Sequence, residues 1–279
     1  MSDDSQGTTD RAPGSTSWHL LTAMALSAFA WMLLMAGHEA LGHGVACVSL
    51  GGEAISLDAM YFSCSDLSPL WKDQLYRAAG SLFNVLIAVL SVLALRRIAN
   101  PRSWVGYFLW ISAVLNLLQS GSYIAFGRFI HPGMDWAMIV SSAPSSEAWG
   151  VIVTVVGVLL LVCGLLVGRV YAPLFLSPNA PVWKQKSRLL MTPYLTATVV
   201  SVAASLFVPS DDRLMMVMGG IGNSLFFLAP MLLLLAWPTK ARRLPPDEPS
   251  LPARRGTIVV ALVATLLYVF VIAPGITIG

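Results

Sequence analysis

Charged residues are few in this sequence: 11% are Asp, Glu, Lys or Arg, against 56% hydrophobic. That balance, with a mean hydropathy of +0.73, excludes a soluble catalytic domain and predicts an all-α polytopic membrane protein. Cysteine is scarce too. Cys47, Cys64 and Cys163 form no C-x-x-C pair, and their odd number excludes a closed disulfide framework. Cys47 and Cys64 flank one short loop and would bridge if that loop were extracytoplasmic; two free thiols are the expectation. A basic leader is also missing, because the first seventeen residues are polar and acidic. They read as a disordered tail at 1–17, with the first apolar segment retained. The net charge of +3 does not point to nucleic acid, since the basic residues fall mainly in inter-helix loops and report orientation.

What is present is Trp31 to Leu50, WMLLMAGHEALGHGVACVSL, which sets HEALGH inside an otherwise apolar segment. The stretch is read as a His-Glu-x-x-His motif, with His38 and His43 five apart on one helical face and Glu39 beside them. Motifs of that type bind zinc through both imidazoles, while the carboxylate takes a proton from water on the metal. His38 and His43 are therefore the expected Zn2+ ligands and Glu39 the expected base. Histidines that only hydrogen-bond between helices would leave a buried carboxylate without a partner. Small residues around the motif, Ala36, Gly37, Ala40, Gly42 and Gly44, suit close approach of a substrate or plain helix packing.

Apolar runs of spanning length recur at about 18–48, 74–95, 103–126, 148–168, 189–208, 214–237 and 257–275. About seven transmembrane helices are expected, the fifth and sixth resting on the weakest signal. After the Gly51-Gly52 turn, Ile55, Leu57, Ala59 and Tyr61 alternate with Ser56, Asp58, Met60 and Phe62, which predicts a short β-hairpin-like surface loop after the first helix. His131-Pro132-Gly133 breaks the pattern before a short helix beginning near Met134, with Asp135 in its first turn. The Pro-rich basic stretches 172–188 and 238–255 read as linkers. Three regions follow: the tail at 1–17, a metalloprotease-like membrane core at 18–145, and additional transmembrane helices at 146–279.

Seven spans sort the basic residues by side. Arg11, Arg96, Arg97, Arg102, Arg169, Lys184, Lys186, Arg188, Lys240, Arg242, Arg243, Arg254 and Arg255 fall on one face, and Lys72, Arg77, Arg128 and Arg213 on the other. The excess predicts a cytoplasmic N-terminus. It also sends HEALGH toward the outer half of the bilayer.

A catalytic zinc takes a third protein ligand and leaves one position for water. Asp135 is the leading candidate and His131, four residues earlier, is its rival. Other acids lie in the tail, in a linker, at a span boundary, or in the loop after the motif helix, where solvation is the default.

The chain resembles the site-2-type intramembrane metalloproteases. HEALGH carries most of the likeness. Ala79-Gly80-Ser81-Leu82-Phe83-Asn84 is similar to that family's A-G-P-x-x-N segment, with Ser81 in place of Pro. Asn116-Leu117-Leu118 is similar to the start of its N-L-x-P-x-x-x-L-D-G segment and Met134-Asp135 to its end. Gln119 replaces the Pro, Trp136 replaces the Gly, and nineteen positions separate Asn116 from Asp135. The resemblance covers about 36–137. It implies Asp135 as third zinc ligand and Asn84 and Asn116 near the cleft, holding substrate backbone or an oxyanion; either Asn is equally suited to bonding between helices. It also implies that residues 53–62 form a membrane-associated β-region on which a substrate aligns.

The expected function is an intramembrane zinc endopeptidase cleaving in or near the transmembrane segment of a membrane-protein substrate, in a multi-pass protein of the prokaryotic plasma membrane. A non-proteolytic metal-binding transporter or scaffold, and a zinc hydrolase of lipids, use the same residues and stay open.

Overall fold

The computed structural model describes residues 19–176, 181–210, 213–238 and 255–278. The expected tail at 1–17 and most of the linker at 238–255 lie outside these. The first membrane helix is built from α1 (Leu20–Ala36), a π-helical turn (Gly37–Gly44) and α2 (Val45–Ser49). Its start is capped by His19, whose Nδ1 accepts from the Thr22 N–H. A hairpin follows, β1 (Ala54–Leu57) and β2 (Phe62–Cys64), paired antiparallel. The Asp58 side chain closes its turn by accepting from the N–H groups of Met60 and Tyr61. Burial pushes that carboxyl up, and the two amides pull it back.

The second helix, α3 (Leu70–Arg97), carries Asp73 in its first turn and Arg96 and Arg97 in its last, both favourable to the helix dipole. Next come α4 (Trp104–Ile130), the short α5 (Asp135–Ser141) and α6 (Ser146–Tyr171). The remainder comprises α7 (Val182–Ser205), α8 (Arg213–Ile221), α9 (Leu233–Ala236) and α10 (Arg255–Leu267). The core lies where α1, α4 and α7 meet, with Trp31, Tyr107, Trp110 and Phe175 fully buried. Trp31 Nε1 donates to Ser201 Oγ at 2.7 Å, which satisfies the one polar atom of a ring that otherwise packs as hydrocarbon.

The chain is a multi-pass, mainly helical membrane protein. Six helical segments among the described residues are long and apolar enough to cross a bilayer: Leu20–Ser49, Leu70–Arg97, Trp104–Ile130, Ser146–Phe175, Arg213–Ala236 and Arg255–Ile272. The expected seventh crossing, at 189–208, is not among these six. It falls on α7, whose first two turns carry Lys184, Lys186 and Arg188 and whose interior holds Pro193.

Two further expectations change. The hairpin is part of a three-stranded sheet of order β2-β1-β3, because β3 (Ile276–Thr277) pairs antiparallel with β1. Tyr268 reinforces this return by donating its hydroxyl to the Ala59 carbonyl at 3.0 Å. Cys47 and Cys64 are not free thiols; they form a disulfide. The bond ties α2 to β2 and stacks over a small cluster with Phe62 and Tyr76. Helix α2 and the hairpin bring the two sulfurs together, which the loop sequence alone does not reveal.

Candidate metal centre

The motif helix departs from α geometry where its histidines lie. In H-E-x-x-H two residues separate Glu from the second His, whereas three separate Glu39 from His43, so the reading as H-E-x-x-H is corrected to H-E-x-x-x-H. On an α-helix, at about 100° per residue, positions five apart diverge by about 140° and could not share an ion. Gly37–Gly44 is instead π-helical. Its i→i+5 hydrogen bonds widen the turn by one residue and return positions five apart to one face. The two rings accordingly meet edge-on, with centroids 4.9 Å apart and planes at 74°.

Helix α3 supplies the space in front of them. A Cβ on Gly42 would stand 2.5 Å from the Gly80 Cα, so the two backbones touch directly. A Cβ on Gly80 would stand 2.5 Å from His38 Nε2 and 2.6 Å from His43 Nε2. Both Nε2 atoms therefore aim at one space, open because residue 80 has no side chain.

The opposite ring nitrogens are held. His43 Nδ1 lies 2.8 Å from the Tyr76 carbonyl oxygen, which can only accept, so the ring carries its proton there and presents a lone pair at Nε2. His38 Nδ1 lies 3.1 Å from Asn84 Nδ2, which also donates to Gln119 Oε1. The nitrogen and oxygen of that amide exchange by a half-turn. Turned over together with Gln119 and Asn223, so that every bond of the row they form reverses direction, it sets oxygen toward His38; this ring then also carries its proton on Nδ1 and frees Nε2. Asn84 in turn meets Gln119 at 3.3 Å, and Gln119 meets Asn223 at 3.5 Å, a row of amides reaching from α3 through α4 to the π-helical turn Gly222–Phe226.

Asp135 completes the cluster from the first turn of α5. Its Oδ2 is 3.5 Å from His43 Nε2 and accepts from the Tyr123 hydroxyl at 2.9 Å, while Oδ1 is 3.9 Å from the Arg77 guanidinium. Burial pushes the Asp135 carboxyl up, opposed by His43, Tyr123 and Arg77. The donor atoms of His38, His43 and Asp135 lie within 4.8 Å of one another. Ligands about 2.1 Å from one zinc ion stand at most about 4.2 Å apart, so a small inward shift of each side chain closes the set. Two imidazoles and one carboxylate, with both Nδ1 atoms occupied elsewhere, fit a zinc-type ion. Glu39 is buried beside the cluster and outside the donor set.

His131, the rival ligand, does not belong to this group. It is exposed, and its Nδ1 accepts from the Gly133 N–H in the turn before α5. Asn84 reaches the site through His38. Asn116 turns back on its own helix, donating to the Ser112 carbonyl at 2.8 Å. Tyr76, Tyr123, Gln119 and Asn223 were not expected from the sequence. Ser81 and Trp136, both departures from the family segments, bond to each other at 3.0 Å and pin α5 to α3. No family model, no curated protein and no solved structure matches the chain.

The support behind His38 is directly testable. Asn84→Leu, which keeps the branching of Asn but cannot accept a hydrogen bond, is expected to weaken zinc affinity about 10–100-fold, the usual effect of losing such a partner. Competition titration of the purified protein with a chromophoric chelator measures it.

Proposed function

We propose that this protein is a membrane-embedded zinc endopeptidase that hydrolyses a peptide bond in or beside the transmembrane segment of another membrane protein. The convergence of both Nε2 atoms and the Asp135 carboxylate on one space inside a helix bundle carries this reading. Three protein donors leave a fourth tetrahedral position for water, as in catalytic rather than structural zinc sites. A bound zinc ion supplies Lewis acidity, acidifying water and polarising the scissile carbonyl. Glu39 takes the proton of the attacking water and returns it to the leaving amine. Tyr123 holds Asp135 in place.

A helical substrate must unwind locally, because a helix shields its peptide bonds and the freed backbone groups need partners. The hairpin beside the motif helix offers such partners. Since β1 is flanked by β2 and β3, an incoming strand uses an outer edge of the sheet or displaces β3. The protein resides in a prokaryotic plasma membrane with its N-terminus cytoplasmic, α7 acting as the additional crossing.

The test compares the membrane proteomes of cells carrying wild-type protein or Glu39→Gln. A truncated membrane protein present only with the wild type is the expected result. Identical proteomes, with metal bound in both, would instead leave a non-proteolytic metal-binding role.

A further inference from the structure

We infer that the metal centre is reached from the oxidising, extracytoplasmic side of the membrane, so that its substrates are membrane-protein segments at the outer leaflet or just beyond it. The substrate part rests on the peptidase reading above; the orientation does not.

Contacts between elements sort the bundle into two ends. At one end lie the hairpin, α5 and β3: Gln74, at the start of α3, donates to Ser142, just past α5, and Tyr268 donates to Ala59. At the other end Arg96 donates to the Tyr171 hydroxyl, Arg169 lies 4.6 Å over the Trp237 ring, and Lys186 Nζ donates to the carbonyls of Leu235 and Trp237. Both ends of α7 can be placed by these contacts. Lys186 sits at the second end, and Pro209, four residues past the helix, lies against Gly275 beside the hairpin. Helix α7 thus joins the two ends in spite of its cations.

Charge divides along the same line. Among the described residues, the second end holds every Lys and Arg of the basic set from Arg96 to Arg255 and no Asp or Glu. The hairpin end holds Glu53, Asp58, Asp66, Asp73, Asp135 and Glu147 against four cations, Lys72, Arg77, Arg128 and Arg213. Basic loops stay in the cytoplasm. The disulfide argues the same way without using charge. Cys47–Cys64 sits at the hairpin end, and such bonds persist in oxidising compartments while cytoplasmic reductants keep thiols free.

Depth then decides access. His43 is six residues from Ser49, about 9 Å of helix, whereas His38 is eighteen from Leu20, about 27 Å. The long path runs past the buried Trp31, Tyr107 and Trp110. The short one ends at Asp135 and Arg77, whose side chains are 16% and 20% exposed. Water and an unwound peptide segment both enter by the short path.

Full-length protein in right-side-out membrane vesicles tests the orientation. In a Cys163→Ser background, Ser145→Cys places an exposed thiol at the hairpin end and Asn100→Cys one at the basic end. A membrane-impermeant maleimide is expected to label Ser145→Cys directly and Asn100→Cys only after detergent; the reverse pattern would overturn the inference. Acid-quenched wild-type protein should show Cys47 and Cys64 taking up alkylating reagent only after reduction, and free thiols before reduction would count against it. Neither readout depends on hydrolysis. Loss of the peptidase reading would therefore leave the labelling pattern standing, and a cleavage product cut at its cytoplasmic end would remove the substrate assignment alone.

Discussion

Glu39→Gln is expected to abolish peptide hydrolysis, by about 10²–10⁴-fold, the range for removing a positioned general base, while zinc content stays at the wild-type value. Gln keeps the shape of Glu and fills the same buried space, so the packing of the motif helix is retained. What it loses is the ability to carry a proton from water to amine. The three donors do not include residue 39, so the metal has no reason to leave. Metal analysis of purified protein, paired with cleavage of a substrate from the proteomic comparison, separates the two quantities. Undiminished cleavage would remove Glu39 from the chemistry; joint loss of metal and activity would make it a ligand.

His43→Ala is expected to do the opposite and empty the site. His43 is the ligand held most firmly from behind, through Nδ1 to the Tyr76 carbonyl, and it is the one that Asp135 approaches most closely. Its removal leaves two donors and a half-buried Asp135 whose nearest cation, Arg77, stands 3.9 Å away. Two protein ligands do not make a catalytic zinc site, which takes three and a water. Zinc should fall to background after dialysis against a weak chelator, with activity lost in parallel. The helical circular dichroism should persist, because the ring lies in a polar cluster and the apolar core is built elsewhere. Retention of one zinc per chain would place the metal away from HEALGH.

Which parts of this arrangement the sequence discloses follows from what each part requires locally. The membrane class and most helices are visible because spanning demands long apolar runs. Asp135 is visible as the acid at the start of a short helix after a chain break. The pairing of His38 with His43 is visible only as residue type. An α-helical period separates them, and what reunites them is a π-helical turn packed against Gly80, a choice made between helices and not within the motif. Tyr123, Gln119 and Asn223 lie on separate elements and acquire meaning only when α3, α4 and the Gly222–Phe226 turn meet. A strand of two residues, β3, has no periodicity to detect. The disulfide depends on the hairpin folding back on α2, and the seventh crossing on whether three cations at one end of α7 are tolerated.

The π-helical turn also sets a phase. Downstream of it the same helix must present Cys47 to β2, while within it the rings must face α3. Excising Leu41, an exposed residue, would recreate H-E-x-x-H spacing. It would also remove the residue that the wide turn absorbs, letting the segment return to α geometry with the histidines four apart on one face and Cys47 still four residues past the second of them. The extra residue is thus taken up where it is inserted, so the face toward α3 and the face toward β2 keep their phase at either motif length.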